Sequence, residues 1–418
     1  MAMVSINPEF DDLMHEMEQA ELAVASQPPC LGYPMNCHDL EPSGRARAMW
    51  TRNFVPNNCG DPFDVVEKPW RCHTLQLERC LLDRLMAPWG GCEDNCWGYT
   101  NTGGTEGVMR GVVEGYSRLR ARGFSQVTIV YSTAAHYCVA KAAALLAPNT
   151  EKMLVQVGLD NAMDLSDLDS LLHRALERAD AVLVVCTLGT TFFGGCDDIF
   201  GVQRLLAEHG YTPGQASYLH VDAALHGGFW NDSTCTPRYE IGIDFDSISI
   251  SGHKWFGGFI AGAVLITKIG EVAQLDHERV EYVGMVDKFI TGSRDGSCVA
   301  AWLVRLVQFD WRAELERCLE NAAFLVSELE SAGIACAMQH INVLVQRPSD
   351  RLAKRWQLMC VGGEGQVLCM PHVQRADLLR FVQEMRVEFE EGELHPRSKR
   401  LTALARAPPL LKAAKGVA

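Results

Sequence analysis

The stretch SISISGHKWFGG (247–258) places Lys254 directly after a Ser/Ile alternation, behind Gly252 and His253 and ahead of Trp255 and Phe256. A lysine held at a strand end among aromatics is partly desolvated, which lowers its pKa and makes it a usable amine nucleophile. Upstream, HVDAALHGG (220–228) sets Asp222 at the end of another apolar run, before Ala223 and Ala224. A carboxylate there can bind a metal, act as a base or pair with a ligand cation, and the small alanines leave room for a flat ring; a plain helix cap also fits. TNTGGTEGVMRG (100–111) puts Gly103 and Gly104 before a helix that starts at Thr105-Glu106-Gly107. Helix N-termini present free N–H groups and a positive dipole end, which suit a phosphate, although a simple turn would read the same way. The Lys-Ser/Thr of a P-loop and the G-x-G-x-x-G spacing are both missing. His136 opens a helix after VTIVYS, where a cap or surface role is the commoner one. Gly189, Thr190 and Thr191 end a buried strand with hydroxyls that can donate to a ligand oxygen, and Asp197-Asp198 reads as the cap of the next helix.

The elements that must position these residues follow from the periodicity. Strand-like runs occur at 126–132, 152–158, 181–189, 218–225, 246–251 and 262–268. Helical patterns separate them, one starting behind a capping Asp164 and another closing at Gly210. Strands alternating with helices make a mostly parallel sheet covered on both faces, with ligands beyond the carboxyl ends of its strands. After about residue 300 the pattern changes. One long helix, AAWLVRLVQFDWRAELERCLENAAFLVSELESAG, leads to two strands, around INVLVQ and GQVLCMP. These alternate with the helices RLAKRWQLMC and RADLLRFVQEMRVEFEE. The expected organisation is an N-terminal segment (1–70), a large domain (71–300) and a small C-terminal α/β domain (301–418).

Composition bounds the function. The 418 residues are 48% hydrophobic and 22% charged, ordinary for a globular chain, and the net charge of −14 speaks against nucleic acid or an anionic membrane surface as partner. Sixteen cysteines are too dilute for a disulfide scaffold and read as reduced thiols of a cytoplasmic protein. Cys92 and Cys96 lack a second pair of matching spacing, so no metal is expected. The acidic N-terminus has no signal-peptide core, and no run of 18 apolar residues suggests a membrane span.

Together these residues ask for a planar, phosphorylated ligand with a ring nitrogen for a carboxylate and an aldehyde for a lysine. That describes pyridoxal 5′-phosphate (PLP). The set TNTGGTEG, HYCVAKAA, LGTTFFGGCDDI, HVDAAL, SISISGHKWFGG and ITGSRDG closely resembles the group II PLP-dependent amino-acid decarboxylases, from about residue 31 to 385. LGYPMN and NNCGDPF resemble the branch of histidine and plant serine decarboxylases, and RWQLMC…VLCMP resembles the plant serine type.

The resemblance implies fold type I, the aspartate-aminotransferase-like α/β fold, and a homodimer with shared active sites. Lys254 would hold the cofactor covalently, and Asp222 would pair with its ring nitrogen. His136 would stack on the ring and Ala224 would pack on its other face. Gly103, Gly104, Thr105, Ser251 and His253 would hold the phosphate, with Thr190 also at the cofactor. Tyr282 would protonate the substrate carbon from a mobile loop. Ser293 and Arg294 would lie near the neighbouring subunit's site, Ser293 towards the cofactor and Arg294 towards the substrate, while Tyr33, Asn36 and Asn58 would line the substrate side. The chain departs from the family pattern at Val108, Thr187, His38 and Asp295, changes that bear on substrate choice. The expected reaction is decarboxylation of a small polar L-amino acid, serine to ethanolamine first and histidine to histamine second. Other fold-type-I lyase or transaminase chemistry is a further reading. A catalytically dead PLP-binding scaffold is the third, opposed by retention of Lys254, Asp222, His136 and Tyr282.

Overall fold

The computed structural model describes residues 28–37, 56–64, 72–175, 179–231, 237–268, 272–273, 279–281 and 285–404, with residues 15, 16 and 19. Its main sheet has seven strands: β1 (Cys96–Asn101), β2 (Val127–Ser132), β3 (Glu151–Val155), β4 (Ala181–Thr187), β5 (Ser217–Asp222), β6 (Ser247–Ser251) and β7 (Gly262–Thr267). They run in the order β1-β7-β6-β5-β4-β2-β3. Strands β2 to β6 are parallel, and β7 alone runs antiparallel to its neighbours β1 and β6. The expected mostly parallel sheet is therefore present. Strand β4, AVLVVCT, is buried at every position, which is why it reads as an unbroken apolar run. The strand expected over 152–158 stops at Val155, and Val157 instead bridges Met163. Strand β1 has no strand-like signature because CWGYTN mixes polar residues with aromatics. Its polar residues have buried partners: the Thr100 N–H and hydroxyl both donate to Glu78 Oε1, at 2.8 and 2.9 Å.

The Ser/Ile alternation of β6 predicts one polar and one apolar face, yet all five residues are buried. Ile248 and Ile250 enter the main core, while the serines face the helix Gly104–Ala121. That helix lies unusually close to the sheet. A Cβ on Gly107 would come within 2.7 Å of Ser249 Cβ, and one on Gly111 within 2.1 Å of His220 Nδ1. Glycine at these turns of the helix, opposite Ser249 and His220, lets the backbone approach and fixes the helix start over the strand ends. Asp164 caps the helix Leu165–Ala175 as expected, its Oδ1 accepting from the Ser166 N–H at 2.8 Å.

A two-stranded ribbon, β8 (Arg279–Val280) and β9 (Met285–Val286), follows β7. The single long helix expected after residue 300 is two, Gly296–Gln308 and Trp311–Ser331. The break is made by Phe309, which is extended, and by Asp310, whose carboxylate accepts from the Ala313 N–H and starts a new helix. Four strands, not two, then form an antiparallel sheet: β10 (Cys336–Gln339), β11 (Asn342–Gln346), β12 (Met359–Val361) and β13 (Glu364–Leu368), ordered β10-β11-β13-β12. The helix expected over 351–360 is Asp350–Arg355 only, because Gln357 turns to φ 51° and the chain re-enters the sheet at Met359. Buried residues of both sheets, Ile248 and Val345 among them, belong to one continuous apolar core. No helix among the described residues is long and apolar enough to cross a membrane.

Candidate active site

The carboxyl edge of the large sheet gathers the chemistry. Thr187, Asp222 and Ser249 lie side by side in register across β4, β5 and β6. Asp222 is buried and its Oδ1 accepts from the Ala224 N–H at 3.2 Å. Lys254 lies in the helical turn Gly252–Trp255 that follows β6. Burial pushes the Lys254 ammonium below its ordinary range, and Asp222 opposes that shift. Burial in turn raises the Asp222 carboxyl, against the pull of Lys254 and His136. His136 caps the helix Tyr137–Leu146, its Nδ1 accepting from the Cys138 N–H at 3.3 Å. Burial lowers its pKa, Asp222 raises it, and Lys254 lowers it further. The three groups thus act on one another across one site.

Beside them is a cradle. Gly103, at φ 136°, precedes the first helical residue, Gly104. The Gly104 N–H donates to Ser251 Oγ at 3.1 Å. A Cβ on Gly104 would meet Ser251 Oγ at 2.7 Å and Ala224 Cβ at 3.4 Å, and one on Gly103 would meet His253 Cε1 at 3.8 Å. Five of the expected cofactor residues therefore converge on one helix N-terminus, with Thr105 next in line. His253 Nδ1 is bonded to the Ala261 carbonyl at 3.1 Å, which fixes the ring. The loop is held from below. Asn101 Oδ1 accepts from the Gly103 N–H at 3.0 Å, and Glu106 Oε2 accepts from the Thr102 N–H and hydroxyl at 3.0 and 2.7 Å. Asn101 and Glu106 are positioning residues that motif reading misses; Glu106 could be read as the returning acid of a capping arrangement.

The residues fit PLP. The glycine cradle accepts a phosphate, the buried carboxylate and the depressed lysine suit the ring nitrogen and the aldehyde, and several buried polar atoms at this edge lack a protein partner. Asn101 Nδ2, Ser132 Oγ, Thr187 Oγ1 and Ser249 Oγ have no hydrogen-bond partner among the described residues. Buried polar groups are seldom left so, and a polar ligand at the strand ends would meet that need.

The other expected site residues make bonds of their own. Asn36 is buried beside the lysine turn, its N–H donating to the Lys254 carbonyl at 3.0 Å and its Nδ2 to the Trp255 carbonyl at 2.8 Å. Tyr33 is exposed nearby in sequence. Asn58 is wholly buried in a network of its own: Oδ1 accepts from the Thr74 N–H at 2.7 Å, and Nδ2 donates to Glu78 Oε2 at 2.9 Å. Arg294 Nη2 donates to both Glu78 oxygens at 3.2 Å and to the Gly60 carbonyl at 2.9 Å, with its guanidinium 4.4 Å over the Phe289 ring. Within this subunit, Asn58 and Arg294 tie the 56–64 segment to the helix Leu75–Met86. Ser293 is exposed and its Oγ accepts from Asn57 Nδ2 at 3.0 Å. The Thr190 hydroxyl donates to the Phe192 carbonyl at 3.1 Å and accepts from the Gly195 N–H at 2.7 Å, so it shapes its own loop. Tyr282 and His38 lie outside the described residues; the ribbon β8–β9 brackets Tyr282.

The acidic pair after β4 divides its work. Asp198 caps the helix Ile199–Glu208 as expected, but Asp197 does not: it is buried, accepting from the Met163 and Thr187 N–H groups at 2.7 Å each. Burial raises its pKa to about 7. It therefore anchors the end of β4, where Thr187 adjoins Asp222. Two departures from the family pattern also have structural accounts. Val108 is buried against the second apolar cluster with Val112 and Cys138, and Asp295 caps the helix Gly296–Gln308 through the Ser297 N–H at 2.8 Å.

Comparison with known proteins agrees with the geometry. Residues 116–359 match the pyridoxal-dependent decarboxylase conserved domain. Serine decarboxylase 2 of Oryza sativa subsp. japonica is 31% identical over 85% of this chain and 73% of its own length. A histidine decarboxylase of Solanum lycopersicum is 30% identical, over 86% of this chain and 84% of its own length. In fold, an L-methionine decarboxylase from Streptomyces sp. 590 superposes with a TM-score of 0.78, covering 92% of this chain and 97% of that one at 21% identity. A buried lysine, its carboxylate partner and a glycine cradle at one sheet edge, in a chain so related, place this protein in the pyridoxal-dependent decarboxylase family, as a PLP-dependent amino-acid carboxy-lyase.

Proposed function

We propose that the substrate is a small polar L-amino acid, L-serine before L-histidine, converted to ethanolamine and CO2. The observation that carries this reading is that LGYPMN, which resembles the histidine and plant serine branch, is bonded to both segments that resemble the plant serine type. In LGYPMN, the Leu31 N–H donates to the Trp356 carbonyl at 3.1 Å, and the Leu31 carbonyl accepts from the Leu368 N–H at 2.6 Å. Trp356 belongs to RWQLMC and Leu368 to VLCMP. The far end of LGYPMN, Asn36, is bonded to the Lys254 carbonyl. The two plant-serine-type segments thus join the branch segment Leu31–Asn36, which ends at the lysine turn.

The roles of the chain's own groups follow from their surroundings. Bound PLP supplies the electron sink for the pair left on Cα when CO2 departs. Lys254, with its ammonium destabilised by burial, would hold the cofactor through its amine. Asp222 would pair with the ring nitrogen and favour its protonated form. His136 stays neutral at pH 7 because burial lowers its pKa, so it can lie against the ring without adding a charge. Gly103, Gly104, Thr105, Ser251 and His253 hold the phosphate. Tyr282 would return a proton to Cα, the role that the resemblance implies. Arg294 Nη2 is engaged by Glu78, while its Nε and Nη1 have no hydrogen-bond partner among the described residues.

The experiment is a comparison of L-amino acids with the PLP-loaded enzyme, measuring CO2 and amine together. Ethanolamine from serine, with kcat/KM at least about tenfold above histidine, is expected, a margin of ~1.4 kcal/mol in transition-state binding. Histamine as the favoured product would replace serine by histidine, and no CO2 from any amino acid would refute the reading. A homodimer is part of the proposal, supported by the exposed apolar side chains of Met35, Phe259 and Ile260. Sedimentation of the holoenzyme as a monomer would remove it.

A further inference from the structure

Three side chains that the decarboxylation does not use meet where the two sheets join: Cys196, His226 and His340. Cys196 closes the loop after β4, bridging Leu188. His226 opens the 3-10 turn His226–Gly228 that follows β5. His340 occupies the tight turn between β10 and β11, at φ 53°. One donor atom from each lies within 4.8 Å of the other two. Cys196 Sγ is 3.2 Å from His226 Nδ1. His226 is wholly buried, and its Nε2 has no hydrogen-bond partner among the described residues. A neutral imidazole carries one N–H and one lone pair, so the contact with Cys196 satisfies only one of the two ring nitrogens. The other is an orphan inside the protein, a costly arrangement for a plain hydrogen-bonded pair.

Aromatic packing holds both rings. Trp230 stacks on His226 at 6.0 Å and 12°, and meets His340 edge-on at 5.2 Å. The His226 and His340 rings lie 5.3 Å apart at 75° to each other. One thiol and two imidazoles are a borderline-soft donor set, which suits a tetrahedral cation such as Zn2+ better than a hard, oxygen-seeking one. Donors in such a site stand about 3.3–3.6 Å apart, given bond lengths of roughly 2.0–2.3 Å. The separations here need to close by at most about 1.2–1.5 Å to reach that range.

We propose that Cys196, His226 and His340 bind one Zn2+ ion, which ties the turn between β10 and β11 to the carboxyl edge of the large sheet. On binding, the Cys196 thiol releases its proton to solvent and the thiolate sulfur coordinates the ion. The histidines bind through lone pairs without proton loss, and water takes the fourth position.

The test uses PLP-loaded enzyme, treated with a chelator, dialysed against Zn2+ alone and assayed for bound metal. The wild type is expected to keep one Zn2+ per chain. Cys196→Ser and His340→Asn are each expected to lose at least about tenfold in affinity, while PLP absorbance and decarboxylase turnover confirm that the variants fold. Asn is chosen at 340 because it tolerates the left-handed backbone. Zinc should also raise the thermal midpoint of the wild type and leave those of the variants unmoved. X-ray absorption at the zinc edge of the wild type needs no variant: one sulfur at about 2.3 Å and two imidazole nitrogens at about 2.0 Å are expected. An oxygen-only or multi-sulfur shell, or retention of zinc by both variants, would overturn the site.

Discussion

At the scale of single residues, the account rests on opposed charges held out of water. Asp222 is raised by burial and drawn back by Lys254 and His136; Lys254 is lowered by burial and drawn back by Asp222. Asp222→Asn keeps the size and removes the charge that would hold the ring nitrogen's proton. It should leave the cofactor attached at Lys254 and lower kcat by about 10²–10³-fold, the magnitude of one lost preorganised electrostatic partner. Parallel steady-state kinetics and cofactor absorbance check this, and an unchanged kcat would remove Asp222 from the chemistry. These residues were legible because their types and strand-end positions name their roles. Asp197 was not. Beside Asp198 it reads as a second cap, and only the fold brings the Met163 and Thr187 N–H groups to its two oxygens. Asn58 and Arg294 likewise carry family motifs, yet their bonds to Glu78 join segments too distant in sequence for spacing to reveal.

At the scale of elements, the contact between the helix Gly104–Ala121 and strands β5 and β6 sets the cradle's height above the sheet. Gly111→Ala would drive a methyl into the His220 ring, 2.1 Å from Nδ1, and strain its 2.8 Å contact with Ser247 Oγ. A stability loss of about 1–3 kcal/mol by urea denaturation is expected, the usual cost of overpacking; a neutral effect would mean that the helix floats on the sheet. His220 itself makes stability depend on pH. Burial lowers its pKa from 6.5 to about 3. The unfolded chain takes up that proton below pH 6.5 while the folded chain does not until near pH 3, so the His220 contribution is present above pH 6.5 and is lost as pH falls towards 3. His220→Asn should flatten that slope in denaturation profiles; an identical slope would assign it to other groups. Sequence periodicity found the five parallel strands through their apolar runs or, in β6, through the Ser/Ile alternation. It missed β1, β10 and β12, whose polar or short sequences become strands only through their partners, and it ran two helices together across Phe309 and Asp310.

At the scale of the whole molecule, one continuous core joins the large sheet to the four-stranded sheet, and the segment Leu31–Asn36 runs from the small sheet to the lysine turn. The family, the cofactor and the decarboxylase chemistry all converge on the carboxyl edge of the large sheet. Every role assigned there depends on Lys254 being the residue that holds PLP. Reduction of the holoenzyme with borohydride fixes the cofactor to the lysine that carries it, and peptide mapping by mass spectrometry then locates it. The account predicts the label on the peptide containing Lys254 and nowhere else, with none in Lys254→Ala. A label on another lysine, such as Lys141 beside His136, or retention of the label in the variant, would contradict it.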